Sequence, residues 1–120
     1  MTNRELGNLG EKIAQNYLIK KGYQIMATNY YGRHGEIDII AKEKTSAELV
    51  FLEVKTRTNR QYGYPEDAVN ALKKYHLVHT AEKFLWQKHY PGHQNYRFDT
   101  IAIEINFNSK QAKIKHLKCI

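Results

Sequence analysis

Two apolar segments joined by a short polar link place the strongest constraint on how this chain folds. The segments are Glu36–Lys42 (EIDIIAK) and Leu49–Thr56 (LVFLEVKT), and only the residues EKTSAE separate them. Their Ile, Val, Leu and Phe content favours extended structure, and the link is short enough for a hairpin. The sequence therefore predicts an antiparallel pair of strands in this part of the chain.

Apolar periodicity and turn residues predict the remaining elements. Apolar residues recur at three- and four-residue spacing ahead of Gly22, and Asn3 can cap the helix that they predict. The predicted elements are a helix from about Arg4 to Lys21, a strand over Tyr23–Tyr31, a helix from Pro65 to about Lys88, and strands over Tyr96–Ile105 and Ala112–Leu117. This order predicts an α/β fold in which helices flank a mixed sheet.

Composition narrows the class of protein. With 120 residues, of which 42% are hydrophobic and 26% charged, the chain suits one folded domain over residues 1–120 and neither a disordered nor a fibrous protein. No apolar run reaches the ~18 residues of a membrane span, and the polar start predicts no signal peptide. The single cysteine, Cys119, excludes an internal disulfide and a cysteine-based zinc site, so a cytoplasmic setting is expected.

Three charged residues interrupt the two apolar strands, where a purely structural sheet would prefer Thr, Val or Tyr. Glu53 and Lys55 share one face of an extended strand, and Asp38 lies across from Glu53 if paired residue numbers sum to 91. Adjacent carboxylates repel by up to ~4 kcal/mol at an effective dielectric constant near 20 unless a proton, a cation or a metal intervenes. Mg²⁺ prefers such oxygen ligands, and Lys55 could then act on an attacking water or on phosphate charge.

A structural interpretation of these charges stays open on the residues alone. Glu-x-Lys is frequent as a salt bridge on exposed strands, so the three charges could form a network in a protein-interaction domain. A protein of the same fold could also bind nucleic acid without cleaving it. Binding of Mg²⁺ or Mn²⁺, with or without DNA cleavage, distinguishes the three interpretations.

The excess of basic residues points to a polyanionic partner. The formal net charge is +7, from 19 Lys and Arg against 12 Asp and Glu, which suits nucleic acid. The candidates for phosphate contact are Arg33 between two glycines, Arg57 on the face of Glu53 and Lys55, and Lys73 and Lys74 on the second helix. Asp99 also interrupts an apolar strand, but it has no Glu-x-Lys partner and is assigned a structural role.

Five motifs follow one another along the chain: GNLGEKIAQNYLIKKGY, GEIDIIA, FLEVKTR, YGYPEDAV and RFDTIAI. Together they resemble the YraN-like family of small bacterial predicted endonucleases over nearly the whole chain. That family is assigned to the PD-(D/E)xK, restriction-endonuclease-like fold, a three-layer sandwich. It is also similar to archaeal Holliday junction resolvases in the order helical Glu, strand Asp, Glu-x-Lys. Ile37 stands where the motif name has Pro, a position that varies among such nucleases.

The resemblance implies a metal-dependent endonuclease that hydrolyses phosphodiester bonds of DNA, with branched or junction DNA as one expected substrate. It makes Asp38, Glu53 and Lys55 the catalytic residues, and Glu11, Asp38 and Glu53 the ligands of Mg²⁺ or Mn²⁺. Glu36 shares a face with Asp38 and is an alternative ligand, although a solvated carboxylate is the more ordinary interpretation. The resemblance also implies a homodimer, because the resolvase-like relatives are dimeric and duplex cleavage needs two sites.

Overall fold

The computed structural model describes residues 1–58 and 71–119 and has the predicted α/β architecture. Its elements are α1 (Asn3–Lys20), β1 (Tyr23–Tyr31), β2 (Glu36–Glu43), β3 (Leu49–Arg57), α2 (Ala71–Gln87), β4 (Tyr96–Asn106) and β5 (Gln111–Leu117). The order of helices and strands is the predicted one. The predicted start of the second helix at Pro65, and the motif YGYPEDAV, lie outside the described residues.

The five strands form one mixed sheet in the order β1-β2-β3-β4-β5. β3 and β4 are parallel and the other neighbours are antiparallel, as expected when the chain crosses from β3 to β4 by way of α2. The β2–β3 ladder pairs Ile40 with Phe51 and Lys42 with Leu49, so the predicted register is confirmed.

The two helices lie on opposite faces of the sheet, which gives the three layers expected from the resemblance. Ala14 and Leu18 of α1 are buried with Val50 and Leu52 of β3 on one face. The other face of the sheet packs against α2 through a second buried cluster: Ile37, Ile40, Leu49, Phe51, Leu77, Ala81, Phe84 and Phe98. Among the described residues, neither helix has the length and apolarity needed to cross a lipid bilayer.

A capping box starts α1 and corrects the predicted cap. The Thr2 hydroxyl accepts a hydrogen bond from the Glu5 N–H (3.1 Å), and the Glu5 carboxylate accepts one from the Thr2 N–H (3.3 Å). Thr2 is therefore the N-cap in place of Asn3, because only Thr2 has a Glu three residues later to complete the reciprocal pair.

Asp99 of β4 joins several elements at one end of the molecule. Its fully buried carboxylate accepts hydrogen bonds from Arg97 (3.1 Å) and from the Cys119 N–H (3.0 Å), and lies 2.7 Å from His116 Nε2 of β5. Arg97 also donates to Glu48 at 2.6 Å. Burial alone would raise the pKa of Asp99, but these hydrogen bonds outweigh it and hold the pKa below its usual value.

Candidate metal and phosphoryl-transfer site

A glycine in α1 brings this helix close to the end of β3. A Cβ at Gly10 would overlap the side chain of Thr56, so only glycine fits at this crossing. The next residue, Glu11, thereby reaches a cleft of about 440 Å³, which Asp38 and Arg57 also line. The motif GNLGEK thus places a carboxylate from the helical layer against the strand that carries Glu53.

The alternation of side chains breaks at Asp38. Ile37 belongs to the core on the α2 side and Ile39 to the core on the α1 side, although the two are separated by a single residue. The Asp38 carboxylate accepts a hydrogen bond from the backbone N–H of Val54 (2.8 Å). Asp38 lies just beyond the last Cα pair of the β2–β3 ladder, where its side chain takes the place of a backbone acceptor.

Three carboxylates converge beside this break. One oxygen from each of Glu11, Glu36 and Asp38 lies within 4.8 Å of the other two. Burial, together with the neighbouring Glu11, Glu53 and Glu36, raises the pKa of Asp38 to about 7, against the lowering effect of the Val54 hydrogen bond. Burial and Glu36 also raise the pKa of Glu11. The cluster therefore favours a bound proton or a cation.

Glu53 is held between two lysines, one from β3 and one from α2. The Lys55 Nζ lies 3.0 Å from Glu53 Oε1, and the ammonium of Lys73 contacts the same oxygen. The other oxygen, Oε2, is buried and has no hydrogen-bond donor among residues 1–58 and 71–119. Burial and the adjacent Lys73 lower the pKa of Lys55. Both helical layers thus contribute to the site, Glu11 from α1 and Lys73 from α2.

The donor set fits Mg²⁺ or Mn²⁺. These ions take hard oxygen ligands, and oxygens bound to one Mg²⁺ at ~2.1 Å lie about 3 to 4 Å apart. The oxygens of Glu11, Glu36 and Asp38 lie within 4.8 Å of one another, so at most a small closure brings them to that spacing. The buried Glu53 Oε2 is a further oxygen suited to a cation or to a water bound by one. In the described geometry, Glu36 joins Glu11 and Asp38 more closely than Glu53 does.

The four residues predicted to contact phosphate lie in different places. Arg57 lines the cleft together with Glu11 and Asp38, and its contact with phosphate stays a prediction. Arg57 is the last residue of β3. Lys73 pairs with Glu53, whereas Arg33 is exposed in the β1–β2 turn and Lys74 is exposed on α2.

Comparison with known proteins identifies the family. A model of the family described as "Uncharacterised protein family UPF0102", which is the YraN family, matches residues 10–103. The chain belongs to this family. A UPF0102 protein of Caldicellulosiruptor saccharolyticus is 41% identical over 98% of both chains. UPF0102 proteins of Clostridium beijerinckii and Clostridium tetani are 38% and 40% identical over 97% of this chain and 92% and 93% of their own.

One residue at the site of this UPF0102 chain was missed by sequence reasoning. The side chain of Asn29 in β1 lies close enough to Glu11 to lower the pKa of that carboxyl, against the rise from burial and Glu36. Asn29 has a φ of 49°, in the left-handed region. The available signal was an asparagine within a strand pattern, because asparagine tolerates this region better than most residues.

Proposed function

We propose that this UPF0102 protein is a metal-dependent nuclease that hydrolyses phosphodiester bonds of DNA. The observation that carries the proposal is the arrangement of Glu53, which shares one oxygen with Lys55 and Lys73 and keeps a second, buried oxygen without a donor in the described chain. A structural salt bridge would leave no reason to bury that second oxygen, whose desolvation costs free energy. A ligand of the site would use it.

Each residue of the site has a chemical task in this proposal. Glu11, Glu36 and Asp38 would hold the ion, with Glu53 as an additional oxygen donor or as the acceptor of a water proton. When bound, Mg²⁺ would supply Lewis-acid polarisation of the phosphate and a more acidic water.

The two lysines would act on the phosphate side of the site. Lys55 is held 3.0 Å from Glu53, so its ammonium can orient the attacking water or offset charge developing on the phosphoryl oxygens. Lys73, which lies on α2, brings a second ammonium group to the carboxylate of Glu53. Neither lysine needs to bind the ion, which separates their effects from those of the carboxylates.

Cleavage assays on matched variants test the proposal. We expect the native protein to cut labelled linear and branched DNA in Mg²⁺ or Mn²⁺ and to be inactive in chelator. Asp38→Asn and Glu53→Gln should each lower the rate by at least about 100-fold. Lys55→Met should lower it as strongly while leaving metal binding, measured by calorimetry, intact.

Two exposed residues provide controls for the loss of charge. Glu82→Gln removes a carboxylate from α2 and Lys44→Met removes an ammonium from the β2–β3 link, and both should cut at the native rate. Equal cleavage by Asp38→Asn would overturn the catalytic assignment. Metal binding without cleavage of any DNA would instead support a nucleic-acid-binding module. A protein that neither binds metal nor cleaves DNA would support a protein-interaction domain.

The proposal extends to the setting and assembly of the protein. We propose that it acts in the cytoplasm, as the single cysteine suggests, and that two copies associate to cut both strands of a duplex. Sedimentation with and without duplex DNA tests the assembly, and a monomer in both conditions would contradict it.

A further inference from the structure

A cleft lined by basic side chains lies between the β1–β2 turn and α2, apart from the carboxylate cluster. It encloses about 360 Å³ and is lined by Gly32, Arg33, His34, Tyr75, His79, Thr80 and Lys83. None of these described lining residues carries a carboxylate. Arg33 and Lys83 supply basic side chains, and the imidazoles of His34 and His79 add N–H donors. The cleft therefore matches an anionic ligand.

The walls of this basic cleft are held by packing and hydrogen bonds. A Cβ at Gly32 would overlap the side chain of Thr80, so the turn lies directly on α2. The Gly32 N–H donates to the Gly35 carbonyl (2.7 Å), which closes the turn. Lys83 Nζ donates to the Tyr31 carbonyl (3.0 Å), which ties the far wall to the end of β1. The basic cleft is thus formed before any ligand arrives.

A smaller cavity shares lining residues with both the basic cleft and the proposed active site. Its volume is about 120 Å³, and it shares His34 and Thr80 with the basic cleft. Its other lining residues include Glu36 of the carboxylate cluster and Lys73, the partner of Glu53. The basic cleft and the proposed active site are therefore adjacent, so that one nucleic-acid strand could contact both.

An exposed aromatic ring borders the basic cleft. Tyr75 is 56% exposed, and its ring is supported edge-on by His79, with ring centres 4.3 Å apart. Bases stack on such rings in single-stranded nucleic acid, whereas the bases of a duplex already stack on each other. This ring therefore favours a nucleotide whose base is unpaired.

We propose that the basic cleft binds a phosphate of the DNA chain close to the one hydrolysed, with an unpaired base stacked on Tyr75. This inference rests on the proposed nuclease function and specifies its substrate as DNA with a single-stranded segment. Arg33 and Lys83 neutralise the phosphate, His34 and His79 donate to its oxygens, and the strand continues past the small cavity toward Glu36 and Lys73.

Binding measured in chelator tests the basic cleft without cleavage. The probes are a fluorescein-labelled single-stranded DNA 20-mer and the blunt duplex of the same sequence, followed by anisotropy. Arg33→Glu should weaken binding of the single strand at least about tenfold and reduce the slope of log affinity against log salt by about 0.7. Tyr75→Ala should weaken the single strand about tenfold and leave the duplex within about twofold.

Two controls carry the same changes elsewhere on the surface. Lys44→Glu inverts an exposed charge in the β2–β3 link and Phe107→Ala removes an exposed ring from the β4–β5 turn. Both should bind the single strand within about twofold of native. Equal loss in Lys44→Glu and Arg33→Glu would overturn the proposal, since it would show only general charge attraction. Native affinity in Arg33→Glu and Tyr75→Ala, or no binding by the native protein, would also overturn it.

The outcomes separate this inference from the proposed function. Selective loss of binding in Arg33→Glu and Tyr75→Ala supports the basic cleft even if the native protein never cuts DNA. Metal-dependent cleavage that is unchanged in both variants supports the nuclease and overturns the basic cleft.

Discussion

The surroundings of Asp38 disfavour the ionised form of its carboxyl. Its carboxyl is within reach of the fields of Glu11, Glu36 and Glu53, and its one described hydrogen bond comes from the Val54 backbone. A group in this position is tolerated when it binds a cation for part of its working cycle, because like charges in a desolvated site cannot all ionise at low cost. Asp38 therefore offers a test that needs no knowledge of the substrate.

Neutralising Asp38 should stabilise the metal-free protein. The folded pKa of about 7 lies above the usual value of 3.8, so the folded protein binds more protons than the unfolded chain between these values. Stability from this group is present at low pH and is lost as pH rises through 7. In chelator at pH 8, Asp38→Asn should unfold with a free energy about 0.5 to 2 kcal/mol higher than native, and at pH 4 the difference should vanish.

Urea unfolding at both pH values measures this difference. Repeating the unfolding in Mg²⁺ provides a second comparison between the native protein and the variant. Added Mg²⁺ should stabilise the native protein and have a smaller effect on Asp38→Asn. A variant that is less stable than native at pH 8, and indifferent to Mg²⁺, would identify Asp38 as an ordinary salt-bridge partner.

Asp99 should show the opposite pH dependence. Its pKa is lowered by His116, Arg97 and the Cys119 N–H, which outweigh its burial, so its contribution is present above the unfolded pKa and is lost as pH falls through the folded one. Asp99→Asn should cost about 2 to 4 kcal/mol at pH 7, because Arg97 is left under-compensated, and less at pH 3. Thermal melts at the two pH values measure this, with Glu82→Gln as the control. An equal cost at both would contradict the ion-pair account.

At the scale of elements, the apolar and turn patterns of the sequence predicted those features that depend on residues close together in the chain. The β2–β3 register followed from the short link and the alternating core residues, so the expected nearness of Asp38 and Glu53 could be derived. The break in side-chain alternation at Asp38 could not be derived, because it depends on which of the two buried clusters each adjacent residue joins in the folded protein. The pairing of Lys73 with Glu53 depends on how α2 crosses the sheet, and sequence spacing carries no such information.

The contact between α1 and β3 is the element-scale feature that the site depends on most. Gly10→Ala should force α1 away from Thr56 and shift Glu11, at a cost of about 1 to 3 kcal/mol in stability and with weaker Mg²⁺ binding. Gly7→Ala is the matched control, because a Cβ there meets nothing within 4 Å. It should stabilise α1 by roughly 0.5 to 1 kcal/mol through helix propensity. Chemical unfolding and calorimetric titration measure the two effects, and equal behaviour of the two variants would contradict the close-approach argument.

At the scale of the whole molecule, the three layers bring together groups from distant parts of the chain. α1 supplies Glu11, the β2–β3 pair supplies Asp38, Glu53 and Lys55, and α2 supplies Lys73. The net charge of +7 favours approach to DNA, while the carboxylates concentrate negative charge at one point, where a bound cation would offset their repulsion of phosphate. Metal binding is therefore the central claim.

Crystals of the native protein soaked in millimolar Mn²⁺ test that claim most directly. Anomalous scattering should show an ion bound to Asp38 and to at least one of Glu11, Glu36 and Glu53, and the same soak of Asp38→Asn should show none there. An ion-free cluster in native crystals at pH 8, where Asp38 is ionised, would contradict the account.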